Sequence, residues 1–249
     1  MGILDLFRKA DTKAGPKVDR EIARLERLVS NKLSQNLDRQ DALEQLGRIG
    51  SAESAAVLLK RFNWYLDPSI TDHEEKETAV RGIVNAGEAA LEPIREYCKR
   101  AEGLTWPLKA LEQIVDREGF VEELLLLLDQ YDTEYVRNPE PKVQLLTALA
   151  EFPRQDVKIA VEQFVEDASE PVRFAAVGTL FAVGEQDAAV CLATALIREE
   201  SLRIKNRVAQ GLAEKGWLVP EELSGACRKA LPPGYWLDGS GRMTGEPSS

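Results

Sequence analysis

The sequence predicts an all-α protein in which short helices pair into hairpins and the hairpins stack as an α-solenoid. Apolar residues recur at spacings of three and four along almost the whole chain, as they do in helices that bury one face. The segments Ile22–Leu33 and Leu91–Cys98 both show this spacing. Almost no segment alternates apolar and polar residues as a half-buried strand does. Glycines that close the apolar segments also return at a nearly constant interval, which indicates a repeat.

The repeat length follows from the glycines that end apolar helical segments. These glycines are Gly50, Gly87, Gly119, Gly184 and Gly216. Their successive intervals are 37, 32, 65 and 32 residues, and the long interval is close to two short ones. One closing glycine is therefore missing, near Phe152-Pro153. A period of about 33 residues accommodates two short helices, which must stack on neighbouring pairs to bury their apolar faces.

Two of these segments, Leu37–Gly50 and Val172–Gly184, resemble the inner helix of the HEAT repeat in its short bacterial form. The second begins Val-Arg-Phe-Ala-Ala and ends Val-Gly, as that form does. Segments that begin at Lys76, Pro107, Lys142 and Lys205 match more loosely, so the resemblance covers residues 18–230. It implies a right-handed solenoid of about six stacked helical hairpins, with inner helices lining a concave groove. The outer helices are expected at 18–34, 52–63, 88–100, 118–130, 154–167 and 186–198.

The pattern divides the chain into three parts. Residues 1–17 form a short amphipathic segment and a polar hinge, residues 18–230 form the solenoid, and residues 231–249 form a largely disordered, Gly-rich tail. Two candidate docking motifs lie at the ends, at residues 3–9 and at Tyr235-Trp236-Leu237. For residues 3–9 the alternative is that they cap the apolar edge of the first repeat.

Composition excludes several kinds of function. The 249 residues carry 42 acidic and 32 basic side chains, a net charge of −10, which disfavours a nucleic-acid partner. The only histidine, His73, excludes sites that need two imidazoles, including the di-iron site of deoxyhypusine hydroxylase, another HEAT protein. We therefore expect no metal and no cofactor. The longest apolar run, Leu124–Leu128, is too short to span a membrane. The dispersed cysteines Cys98, Cys191 and Cys227 predict buried free thiols and a cytoplasmic protein. The short form of the repeat implies a bacterial one.

A basic residue occupies the same place in four of the six inner helices, in a chain that is acidic overall. These residues are Arg39, Lys76, Arg173 and Lys205, while Pro107 and Gln144 fill the place in the other two helices. Two interpretations remain open. The side chains line the groove and bind an acidic partner, or each bonds an acid or carbonyl of a neighbouring repeat, as is common in HEAT arrays.

The inner helix Val172–Gly184 has a second apolar stripe, which contains Phe174, Val177 and Phe181. Either this stripe is buried between neighbouring repeats, or it is exposed in the groove and holds a partner helix. We predict a non-enzymatic scaffold that binds another protein or peptide on its concave face. The stripe and the four basic residues are the candidate contacts.

The alternative function is that of an enzyme or enzyme subunit on the same repeats, either nucleic-acid glycosylase-like or protein-modifying and lyase-like. Resemblance to the alkylpurine DNA glycosylases directs attention to Trp106 and Asp116, which the repeat pattern places on one inner helix. Trp106 aligns with the core residues Val172 and Ile204, so we expect it to pack rather than to stack on bases. The sequence provides no catalytic residue.

Overall fold

A computed structural model of the chain describes residues 16–245, and within them it confirms an all-α solenoid fold. The helices are α1 (Pro16–Val29), α2 (Asn36–Ile49), α3 (Ala52–Leu59), α4 (Ser69–Ala86), α5 (Leu91–Cys98), α6 (Thr105–Ile114), α7 (Arg117–Leu128), α8 (Glu140–Leu149), α9 (Gln155–Glu162), α10 (Glu170–Val183), α11 (Ala188–Arg198), α12 (Leu202–Lys215) and α13 (Glu221–Ala230). Two short strands follow, β1 (Tyr235–Leu237) and β2 (Met243–Gly245). Short 3-10 turns extend α3 and α9 and precede α5. Helices α1 to α12 form six inner and outer pairs.

The first compact unit contains, of the described residues, 16–98 and Trp106–Ile114. The outer helices α1, α3 and α5 pack in one layer, and the inner helices α2 and α4 pack in the other. Helices α2 and α4 come closest at two glycines. A Cβ atom on Gly82 would lie 2.9 Å from the Cα of Gly47 and 2.7 Å from Leu58, so neither helix can carry a side chain at this crossing.

The second compact unit contains Lys99–Thr105 and, of the described residues, 115–245. Its outer layer consists of α7, α9, α11 and α13, and its inner layer of α8, α10 and α12. The hydroxyl of Thr179 on α10 donates a 2.8 Å hydrogen bond to the carbonyl of Leu146 on α8. A Cβ atom on Gly211 of α12 would overlap the ring of Phe181 on α10. Both contacts hold the inner helices at close range.

The prediction of a largely disordered tail at residues 231–249 is wrong for the part that the structure describes. Strands β1 and β2 pair antiparallel, with Trp236 opposite Thr244, and they contact α13 and α12. Tyr235, Leu237 and Met243 are buried beneath the hairpin, while Trp236 is 60% exposed. The hairpin therefore covers apolar surface of α12 and α13, as a capping element of a solenoid does. Strands of three residues are too short for alternation to be recognised in the sequence.

Of the predicted N-terminal segment and hinge at residues 1–17, the structure describes only residues 16 and 17. The candidate docking motif at residues 3–9 lies outside the described residues. Helix α1 begins at Pro16, so the structure places the end of the predicted hinge inside a helix. Ile22, Leu25 and Val29 of α1 face the core, whereas its exposed side is made mostly of charged residues. Helix α1 thus presents a polar surface at the first repeat.

All three cysteines are free thiols; Cys98 and Cys227 are buried and Cys191 is half-buried. Burial raises the pKa of Cys98 to about 12 and the pKa of Cys227 to about 11. Among residues 16–245, no group of three or more His, Cys, Asp or Glu side chains is arranged to hold a metal ion. No helix in the same range is both long and apolar enough to cross a membrane.

Candidate partner-binding surface

Arg39 on α2 lies in a buried ion-pair network in the first unit rather than on a surface. Its side chain is fully buried and donates hydrogen bonds of 3.0 and 2.8 Å to the Glu75 carboxylate on α4. It also donates to the backbone carbonyl of Ser34, in the turn before its own helix. Arg61 joins the network through 2.7 Å contacts with Glu75 and with Asp72. Arg39 therefore ties two neighbouring repeats together.

Lys76 extends the same network, and it too is buried, with 1% of its side chain exposed. Its Nζ lies 2.7 Å from Asp72 and 3.9 Å from the centre of the Tyr65 ring. Burial raises the pKa of Asp72, but hydrogen bonds from Lys76 and Arg61 outweigh it and leave that pKa below its usual value. The assignment of Arg39 and Lys76 as partner contacts is therefore corrected: their cations neutralise buried carboxylates.

The second unit repeats this arrangement with different residues. Arg173 on α10 donates to Glu199, 2.8 Å away, and to the carbonyl of Asp167 in the turn before its own helix. Lys142 on α8 is fully buried and donates in the same way to the Asp167 carboxylate at 2.7 Å. Each of these basic side chains bonds both the loop before its own inner helix and a carboxylate that precedes the next inner helix. Of the two interpretations of the basic ladder, bonding between repeats holds for Arg39 and Arg173. Lys76 is buried as well, but it pairs with Asp72 of its own helix.

Lys142 makes on α8 the kind of bond that Arg173 makes on α10. The repeat pattern missed it, because that pattern assigned the basic position of this helix to Gln144. A signal was present in the sequence, since Glu-Pro precedes both Lys142 and the Val172-Arg173 pair. Gln144 instead accepts a hydrogen bond from the backbone nitrogen of Leu104 and donates 3.2 Å to the Thr105 hydroxyl.

The apolar stripe on α10 is buried at two of its residues and partly exposed at a third. Val177 and Phe181 are buried, and Phe181 stacks on Trp217 with ring centres 5.5 Å apart. These two residues are corrected from partner contacts to core residues, because both are buried, with Phe181 against Gly211 of α12. Phe174 is only half-buried, and the guanidinium of Arg203 on α12 lies 3.7 Å from its ring centre.

The surface formed by Phe174, Gly178, Arg203 and Arg207 is called the α10–α12 face below. Arg207 Nη2 lies 3.8 Å from where a Cβ on Gly178 would stand, one helical turn beyond the contact of Arg203 with Phe174. The Arg203 side chain is 59% exposed, and its contact with Glu170 is a loose 3.7 Å. Within residues 16–245, neither Arg207 nor the half-buried Lys205 has a carboxylate at ion-pairing distance.

The proposed pair of Trp106 and Asp116 does not share a helix. Helix α6 ends at Ile114, and Asp116 instead caps α7, where its carboxylate accepts a 2.8 Å hydrogen bond from the Gly119 nitrogen. Aspartate is among the preferred residues at this position, which explains the break. Trp106 is half-buried and packs 6.0 Å from Phe62 and 5.3 Å from the exposed His73, between ring centres.

Residues 126–213 match the family model of HEAT repeats, from the end of α7 to the end of α12. No protein with a curated description matches the chain. Among solved structures, a chain from "Computational Design of Self-Assembling Cyclic Protein Homooligomers" is similar at 15% identity and a TM-score of 0.16. The similarity covers 86% of this chain and 70% of that one. At that TM-score it carries no argument.

Proposed function

We propose that this protein, a HEAT-repeat protein, is a non-enzymatic scaffold that binds an acidic segment of another protein on the α10–α12 face. The observation that carries the proposal is the charge of α12. This helix has four basic residues and one acidic residue in a chain with a net charge of −10. Because Arg207 lacks an ion-pair partner among the described residues, it can pair with a carboxylate from outside.

The geometry of the face favours a peptide over a single ion. The guanidinium of Arg203 lies over the ring of Phe174, so the pair offers both an aromatic surface and guanidinium donors. Gly178 has no side chain, and the Arg207 guanidinium lies over it, with Nη2 3.8 Å from where a Cβ would stand. Apolar contact at Phe174 and ion pairing one helical turn further along suit an amphipathic acidic segment.

Three of the sequence-predicted candidates remain in the proposal. Phe174 belongs to the face, and Arg173 and Lys205 flank it on the same two helices. Arg173 keeps its ion pair with Glu199, so its contribution is to position α10. A cytoplasmic location is part of the proposal, since free thiols are typical of reducing compartments. A bacterial origin remains a prediction from the short form of the repeat.

Charge reversal tests the proposal. The probe is a labelled 14-residue amphipathic helix of Leu and Glu, titrated onto the full chain and onto the double variant Arg203→Glu with Arg207→Glu. The matched control is Arg48→Glu with Arg198→Glu, which changes net charge equally at side chains that are 69% and 67% exposed. We expect the first variant to raise Kd about tenfold and the control less than about twofold. Equal losses would contradict the proposal.

A further inference from the structure

We propose a second binding surface, in which a groove between the outer helices α7 and α9 receives a basic amphipathic helix of a partner protein. The groove has a volume of about 490 Å³. Leu125, Leu126 and Ala160 form its floor, and Glu122, Asp129 and Asp156 stand along its rim. An apolar floor with a charged rim is the surface that an amphipathic helix covers.

The floor originates in the five consecutive leucines Leu124–Leu128. A helix turns 100° per residue, so five successive side chains cannot all face the core. Leu124, Leu127 and Leu128 are buried, whereas Leu125 is half-buried and Leu126 is 46% exposed. On α9, Ile159 beside Ala160 is 60% exposed. Both helices thus present apolar side chains to the outside that the core does not use.

The rim determines the charge of the occupant. Glu122 lies on α7 and Asp129 directly after its last residue, so that they flank the leucines in the sequence, and Asp156 lies on α9. No basic side chain lines this groove. Arg154 is the ion-pair partner of Asp156 at 2.7 Å, and its hydrogen bond lowers the pKa of that carboxyl. Lysine or arginine residues that flank an apolar stripe complement such a rim.

This surface is independent of the α10–α12 face. It belongs to the outer layer of the second unit, whereas α10 and α12 form the inner layer. The two surfaces also have opposite charge and so select opposite partners. Either one can be lost without loss of the other.

The test uses a labelled 14-residue amphipathic helix of Leu and Lys as the probe, titrated onto the full chain. Leu126→Gln removes the most exposed leucine of the floor at little cost in helix propensity. Val190→Gln is the control, since Val190 is 51% exposed on α11 and lies outside the groove. We expect Leu126→Gln to raise Kd about tenfold and the control less than about twofold. Equal effects, or binding that does not saturate, would overturn the proposal.

A second variant tests the rim without touching the floor. Glu122→Gln with Asp129→Asn is expected to weaken the Leu/Lys probe at low salt, with a difference that shrinks at high salt. Thermal unfolding followed by circular dichroism verifies that each variant is folded. If the acidic Leu/Glu probe depends on Leu126 as strongly as the basic one, or if the rim variant binds the Leu/Lys probe unchanged, a basic occupant is ruled out.

Discussion

Arg39 on α2 and Glu75 on α4 stand 36 residues apart in sequence and share hydrogen bonds of 2.8 and 3.0 Å at a fully buried contact. The pair joins neighbouring inner helices, and Arg61 contacts the same carboxylate from the turn that follows α3. One carboxylate thus bonds two buried guanidinium groups, and Asp72 provides a second carboxylate to Arg61. The charges that the sequence presents as a groove are, at this position, part of the core.

Glu75→Gln is expected to destabilise the first unit strongly. The amide keeps the shape of the side chain but leaves Arg39 without its carboxylate partner and Arg61 with Asp72 alone. Breaking a buried pair on one side costs about 3 kcal/mol or more in free energy of unfolding. Urea unfolding followed by circular dichroism measures the loss. Glu44→Gln is the control, because Glu44 is 53% exposed; a loss for Glu75→Gln as small as that for the control would refute the network.

Asp72 makes stability depend on acid pH. Its pKa is lower in the folded protein than in the unfolded chain, so its stabilising contribution is present above the unfolded value of about 3.9. The contribution is lost as the pH falls through the lower folded value. Urea midpoints measured from pH 7 to pH 2 should therefore fall more steeply below about pH 4 for the natural chain than for Asp72→Asn. Parallel curves would count against the lowered pKa.

Gly82→Ala tests the close approach of α2 and α4. Alanine is favoured over glycine in a helix by about 1 kcal/mol, yet the added Cβ would meet Leu58 and the Gly47 backbone. We expect a net loss of about 1–3 kcal/mol from overpacking. Gly225→Ala on α13 is the matched control, because nothing lies within 4 Å of its Cβ position. That variant should raise the thermal midpoint, and a gain in both variants would contradict the glycine crossing.

Leu237→Ala tests whether the hairpin covers the end of the repeats. Leu237 is 7% exposed, so truncation should cost about 2–4 kcal/mol in free energy of unfolding. Trp236→Ala, at the neighbouring outward position, should cost less than about 0.5 kcal/mol. Chemical unfolding of the two variants compares them. Similar small losses would mean that the hairpin does not stabilise the second unit.

The sequence predicts most of the helices because their apolar spacing and most of the closing glycines are local signals. Gly119 is the exception: α6 ends at Ile114, and Gly119 lies in the first turn of α7 instead. The inner segment Leu37–Gly50 corresponds to α2 at Asn36–Ile49, with Gly50 in the left-handed conformation that closes it. The basic ladder was also visible in the sequence. The direction in which the side chains of the ladder point was not visible, because the pairing of Arg39 with Glu75 depends on how α2 and α4 pack.

The candidate surface was predicted only in part for the same reason. Phe174 and Phe181 belong to one stripe, but α12 covers Phe181 beside Gly211 and leaves Phe174 half-exposed under Arg203. Arg203 and Arg207 were missed because they fall outside the repeating basic position. The exposure of Arg203 and the lack, among the described residues, of a nearby carboxylate at Arg207 are properties of the packed helices. The end hairpin was missed because its apolar residues find their partners on α12 and α13, not within the hairpin.

The position of the bound acidic probe tests the central claim most directly. A Leu/Glu peptide with a photo-reactive benzophenone at its centre would be irradiated in complex with the full chain, and the attachment sites mapped by mass spectrometry. The account predicts attachment to α10 and α12, next to Phe174, Arg203 and Arg207, with loss of attachment in the Arg203→Glu and Arg207→Glu double variant. Attachment confined to other helices, or attachment that the double variant leaves unchanged, would contradict it.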